Sequence, residues 1–155
     1  MTELHSTYPF SVRWLAGRIG LASAPDCSPD FEVAPPPQFG GPGGRWTPEH
    51  LFVGAATPCC LPPCLAYGEQ SRLEVVAVEA GGEAIVERGD DGRVSIPRLR
   101  LRPRVTLFRE EDREKAEKMI RKAEETCLIA RAMRATVELE PEVLVVGATP
   151  VSALS

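Results

Sequence analysis

Residues 47–67 read Thr-Pro-Glu-His-Leu-Phe-Val-Gly-Ala-Ala-Thr-Pro-Cys-Cys-Leu-Pro-Pro-Cys-Leu-Ala-Tyr, and this stretch decides the fold. It opens as a helix: Thr47 caps, Pro48 suits a first turn that needs no amide donor, and Glu49 complements the positive end of the helix dipole. Its length and apolar composition to about Tyr67 predict a buried helix. Pro58, Pro62 and Pro63 each remove an amide donor, so the helix is expected to be kinked or broken.

On the N-terminal side, Tyr8, Phe10, Val12 and Trp14 alternate with Pro9, Ser11, Arg13 and Leu15, the period of a half-buried strand. Gly17 and Gly20 bracket Arg18 and predict a tight hairpin turn. Residues 19–24 and 31–34 suit short strands, and 35–44, rich in proline and glycine, reads as irregular connection. On the C-terminal side, 73–80 and 83–88 flank Gly81-Gly82 and read as a hairpin. Val94 and Ile96 alternate in one phase, and Leu99, Leu101, Val105 and Leu107 in the other. The phase flips at Pro97, which predicts a bulge or an edge.

From Glu110 the period becomes helical. Ala116, Met119, Ile120, Ala123 and Cys127 share one face and charges cover the other. A last strand sets Val137, Leu139, Val143 and Val145 against Glu138, Glu140 and Glu142, and residues after about 147 read as a loose tail. The order is strands, buried helix, strands, amphipathic helix, strand. It predicts an α+β fold with a largely antiparallel sheet, and the 155 residues are expected to form one domain, 1–155.

Composition narrows the function. The net charge is −4, with 43% hydrophobic and 26% charged residues, so no basic excess points to nucleic acid or an anionic membrane. No apolar run is expected to reach the roughly 20 residues of a membrane span. The start of the chain has neither the basic flank nor the apolar core of a secretion signal, and five cysteines are an odd number for a closed disulfide framework. These features predict a cytoplasmic protein with mostly reduced thiols.

No nucleotide-phosphate, dinucleotide or serine-hydrolase fingerprint is present, and no cofactor is implied. Arg98, Arg100, Arg102 and Arg104 fall on one side of a strand. They read as a solvent face paired across strands with Glu138, Glu140 and Glu142, not as a nucleic-acid site, since the stacking aromatics are missing. Cys59, Cys60 and Cys64 lack the paired knuckles of a structural zinc site, so no metal site is expected. His50 reads as a first-turn surface residue. Taken singly, each cysteine is most simply an inert packing group.

The run from Phe39 to Cys59 (Phe-Gly-Gly-Pro-Gly-Gly-Arg-Trp-Thr-Pro-Glu-His-Leu-Phe-Val-Gly-Ala-Ala-Thr-Pro-Cys) resembles the central signature of the OsmC/Ohr family of thiol-dependent hydroperoxide reductases. In that signature a Pro-Glu pair opens a helix and the reactive cysteine follows an Ala-rich stretch, which Pro48-Glu49 and Cys59 match. Ala123-Glu-Glu-Thr-Cys127 resembles the segment carrying the second cysteine, and Gly17-Arg18-Ile-Gly20 partly matches the arginine turn of the first hairpin. The resemblance runs from about Tyr8 to Val146. It departs from the family's pattern at Cys60, Cys64, Pro62-Pro63, Leu128-Ile129, Ala16 and Ile19.

The resemblance implies an intertwined homodimer and a catalytic set of Cys59, Cys127, Arg18 and Glu49. It implies a hydroperoxide substrate, chiefly organic, and an external dithiol reductant of the lipoyl type. In the implied cycle Cys59 is oxidised and then pairs with Cys127; pairing of Cys59 or Cys60 with Cys64 is the rival. Glu49 and Cys59 are ten residues apart, about 15 Å along a straight helix, so a bend or a second chain must bring them together. The alternative is a non-enzymatic redox-sensing protein, or one in which Cys59, Cys60 and Cys64 bind a ligand or soft metal. The roles of Cys27, Cys60 and Cys64 stay open.

Overall fold

The computed structural model describes residues 4–147, so the tail after 147 lies outside the described residues. The chain forms two compact units, Met1–Leu51 and Phe52–Ser155.

The first unit holds β1 (Ser11–Ala16), β2 (Ile19–Ser23) and β3 (Phe31–Val33), an antiparallel sheet in that order. The hairpin turn falls where the glycines place it: Gly17 takes φ +55° and Ala16 pairs with Ile19. The half-buried reading of the first strand is corrected. It begins only at Ser11 and every residue in it is exposed, with Trp14 at 73% and Val12 at 56%. The alternation marks an apolar row, but none of the described residues covers it. Phe10, Phe31, Trp46 and His50 form a chain of edge and tilted ring contacts.

Helix α1 (Pro48–Ala56) begins as its residues dictate. The His50 amide donates to Thr47 Oγ1 at 3.2 Å, and exposed His50 returns a contact through Nδ1 at 2.9 Å. The prolines break the helix. A 3-10 turn over Thr57–Cys60 separates α1 from α2 (Leu61–Gln70). Pro58 cannot donate to the Gly54 carbonyl, and the turn closes instead by the tighter bond from Leu61 N–H to the Pro58 carbonyl. Pro62 and Pro63 sit in the first turn of α2, where a missing donor is harmless. The expectation that no apolar run reaches membrane-span length needs correction. Because the three helical pieces abut, Pro48–Gln70 is a run of 23 residues whose apolar 18-residue stretch has mean hydropathy 1.3, by length and composition alone enough to cross a membrane. Cys60 and Cys64 of this run lie in the protein core.

In the second unit, β4 (Val75–Arg88) and β5 (Val94–Leu107) form a long antiparallel ladder. The hairpin reading of Gly81-Gly82 is therefore corrected: β4 runs straight through, with Gly82 opposite Leu101. Glycine is there for close approach. A Cβ at Gly82 would run into Thr57 Oγ1, with Val53 at 3.1 Å and Leu101 at 3.2 Å, whereas one at Gly81 meets nothing within 4 Å. Gly82→Val should cost about 1–3 kcal/mol in urea denaturation through overpacking, while Gly81→Ala stays near neutral. The true turn is at 89–93, closed by Gly89 N–H to the Arg93 carbonyl at 2.8 Å, with Gly92 at φ +78°. The bulge expected at Pro97 is present: the register shifts between Ile85 and Glu87, opposite Arg98 and Ser95.

Helix α3 (Arg113–Glu125) buries Ala116, Met119, Ile120 and Ala123 against β5 and α2. Cys127 lies two residues past its end and caps α4 (Leu128–Ala132), a helix that no sequence pattern announced. The expected last strand is two, β6 (Thr136–Leu139) and β7 (Glu142–Val145), and both run parallel to β5. The α3–α4 segment supplies the long crossover that a parallel pairing needs. Two antiparallel pairings in the first unit and one in the second still leave the fold α+β and largely antiparallel. Pro103 falls between the β6 and β7 pairings, where no partner strand needs its amide.

Leu99, Leu101, Val105 and Leu107 form the buried face of β5, as their alternation requires. The opposite face is an ion-pair ladder. Arg100 reaches Glu138 at 3.4 Å, Arg102 reaches Glu140 at 2.8 Å and Arg104 reaches Glu142 at 3.0 Å. Arg98 pairs with Glu87 and Glu138, and Glu83 bridges Arg100 and Arg102 from β4. Hydrogen bonds from Arg102 and Arg100 hold the Glu83 carboxyl below its usual range. The folded state therefore loses this support as pH falls through that depressed value, and salt screens it, since the pairs are exposed.

Candidate functional site

Cys59 is half-buried in the 3-10 turn that Pro58 imposes, and Cys127 is 3% exposed at the start of α4. The two sulfurs are bonded as a disulfide across 68 residues, with Cα atoms 6.1 Å apart. The bridge fastens the turn between α1 and α2 to the segment after α3. The Ala130 amide donates to Cys127 Sγ at 3.3 Å.

The neighbouring thiol points elsewhere. Adjacent residues on a 3-10 turn diverge by about 120°, and Cys60 turns into the core beside Cys64, Leu73 and Val105. Its Sγ contacts the Thr57 carbonyl at 3.5 Å. Burial pushes the Cys60 thiol up, a backbone hydrogen bond opposes the shift, and the Glu124 charge adds to it. Burial likewise pushes Cys64 up to about 11, the Cys60 charge contributing less. Both are therefore protonated near neutrality and poor nucleophiles. Glu124, half-buried on the last turn of α3, is itself raised by desolvation. Cys27 is an exposed free thiol.

Arg18 and Glu49 belong to the first unit. Arg18 sits in the two-residue turn between β1 and β2, and its Nη1 donates to the Phe39 carbonyl at 2.9 Å. Glu49 is the second residue of α1, and its Oε2 is buried without a hydrogen-bond partner among the described residues. A groove of about 510 Å³ in this unit is lined by Val12, Trp14, Ile19, Val33 and Pro35, with Arg18 its one charged group. Sequence patterning missed the Phe39 carbonyl as the acceptor for Arg18, and it missed Cys127 as a cap. Among the described residues, no group of three or more His, Cys, Asp or Glu is placed to hold a metal ion.

Fold and site together define an α+β protein with a bonded cysteine pair linking two separate elements. The sequence model of the OsmC-like protein family matches residues 41–142, and the chain belongs to that family. It is 32% identical over 113 residues to an uncharacterized Bacillus subtilis protein, YmaD, covering 71% of this chain and 75% of that one. Among solved structures, an OsmC-like protein of unknown function from Vibrio cholerae shares the fold with a TM-score of 0.78 at 21% identity, covering 88% of this chain and 99% of that one. The organic hydroperoxide resistance protein OhrB of Bacillus subtilis matches with a TM-score of 0.65 at 24% identity, covering 89% and 98%.

Proposed function

We propose that this protein is a thiol-dependent peroxidase that reduces organic hydroperoxides, and hydrogen peroxide as a second substrate, through a cycle of Cys59 and Cys127. The observation that carries this reading is the Cys59–Cys127 disulfide, formed while Cys60 and Cys64 remain free. Its neighbours in structure include proteins named for organic hydroperoxide resistance, which supports the same reading.

The chemistry follows from the thiols. The Cys59 thiolate attacks one oxygen of the O–O bond; the S–O bond forms as O–O breaks, and the alkoxide leaves and takes a proton as the alcohol. Cys59 becomes a sulfenic acid. The Cys127 thiolate then attacks Cys59 Sγ, the S–S bond forms, and hydroxide leaves as water. An external dithiol, of the lipoyl type, resets the pair by two thiol–disulfide exchanges and is itself oxidised. Arg18 holds the Cys59 thiolate ionised and steadies the alkoxide. Glu49 aims Arg18; its Oε2, without a partner among the described residues, is an acceptor suited to a guanidinium.

The active form proposed is an intertwined homodimer of single-domain chains, residues 1–155, acting in the cytoplasm. The exposed row of Tyr8, Phe10, Val12 and Trp14 supports the dimer, because such a row is costly to leave in water. Three free thiols among five cysteines support a reducing compartment.

Dithiothreitol-dependent consumption of cumene hydroperoxide tests the activity. Loss of peroxide in proportion to protein and reductant is the expected result. A protein that consumes no more than dithiothreitol alone would favour the non-enzymatic redox-sensing alternative.

A further inference from the structure

The connection at 35–44 is not irregular where it meets Arg18. Pro37–Phe39 forms a 3-10 turn, and Gly40 closes it at φ +84°. Phe39 N–H donates to the Pro36 carbonyl at 2.9 Å, Gly40 N–H to Pro37 at 3.0 Å and Gly41 N–H to Pro36 at 3.1 Å. Three successive prolines fix the approach to the turn, since each ring locks its own φ. A Cβ at Gly41 would land on the Pro35 carbonyl, so the chain is closely folded there. The Phe39 carbonyl is left facing outward as an acceptor, and Arg18 Nη1 takes it at 2.9 Å.

Gly40 makes that contact possible for a second reason besides its backbone angle. A Cβ at Gly40 would overlap Arg18 Nη1 and sit 3.0 Å from Cζ. The guanidinium therefore lies directly over the glycine. Arginine carries about 2 kcal/mol of side-chain entropy, and an exposed guanidinium is spread over many rotamers unless something holds it. One acceptor used by Nη1 leaves the remaining N–H groups of the fork free for other partners.

We propose that Gly40 and the Phe39 carbonyl form a dock that positions the Arg18 guanidinium for peroxide reduction. This rests on the peroxidase reading and deepens it: Gly40 is a positioning residue that acts through Arg18. Adding a methyl group there displaces the flexible end of Arg18 before it displaces backbone.

The test compares Gly40→Ala with Gly44→Ala. Gly44 also has positive φ, +64°, but a Cβ there meets nothing within 4 Å. Both variants bear the same kind of backbone cost, so both are first checked for folding by circular dichroism and thermal unfolding. Gly40→Ala is expected to lose about 10- to 100-fold in kcat/KM, the penalty of a misplaced or lost charged hydrogen bond. Gly44→Ala is expected to stay near wild type. In an Arg18→Met background, Gly40→Ala should cause no further loss. Nitrogen-15 relaxation of the Arg18 side chain should show hindered guanidinium rotation in the wild type and free rotation in Gly40→Ala.

An unchanged or raised kcat/KM in folded Gly40→Ala overturns the proposal, as does an equal loss in the Arg18→Met background. If Gly40→Ala fails to fold, the wild-type relaxation measurement decides: free rotation there removes the dock. Failure of the underlying reading is a different result, namely Arg18→Met with wild-type kcat/KM.

Discussion

Cys59→Ser should abolish peroxide turnover, by about 1000-fold or more in kcat/KM, while Cys60→Ser keeps most of it. The two residues are neighbours, so the contrast isolates direction and environment from position in the chain. Cys59 occupies the side of the 3-10 turn that meets Cys127. Cys60 points into the cluster formed by Cys64, Val105, Leu107 and Ile120. A thiol reacts through its thiolate, and burial holds the Cys60 proton on. Serine at 59 keeps the volume and removes the only nucleophile that is both partly accessible and joined to a second thiol. Cys60→Ser removes a buried sulfur and costs packing, so its effect belongs in thermal stability. Measurement of cumene hydroperoxide loss with dithiothreitol, beside a melting curve for each variant, separates the two. A Cys60→Ser protein that is folded and inactive would reverse the assignment.

Cys127→Ser is expected to change the product as well as the rate. The first equivalent of peroxide should still oxidise Cys59, because attack on the O–O bond needs only one sulfur. With no second thiol the sulfenic acid persists, and further peroxide carries it to sulfinic acid, which dithiothreitol does not reverse. Turnover should therefore slow and stop as Cys59 gains two oxygens, visible in the mass of its peptide. The same variant lacks the cross-link closing 68 residues. A chain-entropy estimate gives such a loop about 4 kcal/mol, so oxidised wild type should resist urea more than either the reduced wild type or the variant. Sustained wild-type turnover in Cys127→Ser would show that another thiol, or the reductant itself, resolves Cys59.

What the sequence revealed depended on how local each feature was. Pro58, Pro62 and Pro63 announced the broken helix because a missing amide is a property of the residue itself. The arginine and glutamate ladder was legible because period two puts alternate residues on one face, and Arg100 does stand opposite Glu138. Gly81-Gly82 misled because glycine signals both turns and close packing. The demand at Gly82 comes from Thr57, distant in sequence, while the real turn lay in Asp90-Asp91-Gly92. The parallel direction of β6 and β7 was out of reach, since hydrophobic alternation carries no strand direction. Within the site, cysteine, arginine and glutamate could be singled out by type. The acceptor for Arg18 could not, because the Phe39 carbonyl belongs to the backbone and every residue has one. Trp14 shows a further limit: alternation marks an apolar face but does not say what covers it.

Whether Cys59 and Cys127 form one redox pair is decided by thiol mapping after a single peroxide equivalent. The fully reduced protein has five thiols. One equivalent of cumene hydroperoxide should remove two of them and leave Cys27, Cys60 and Cys64 open to alkylation under denaturing conditions, with one cross-linked peptide containing Cys59 and Cys127. A cross-link of Cys59 or Cys60 to Cys64, with Cys127 still alkylated, would contradict the account.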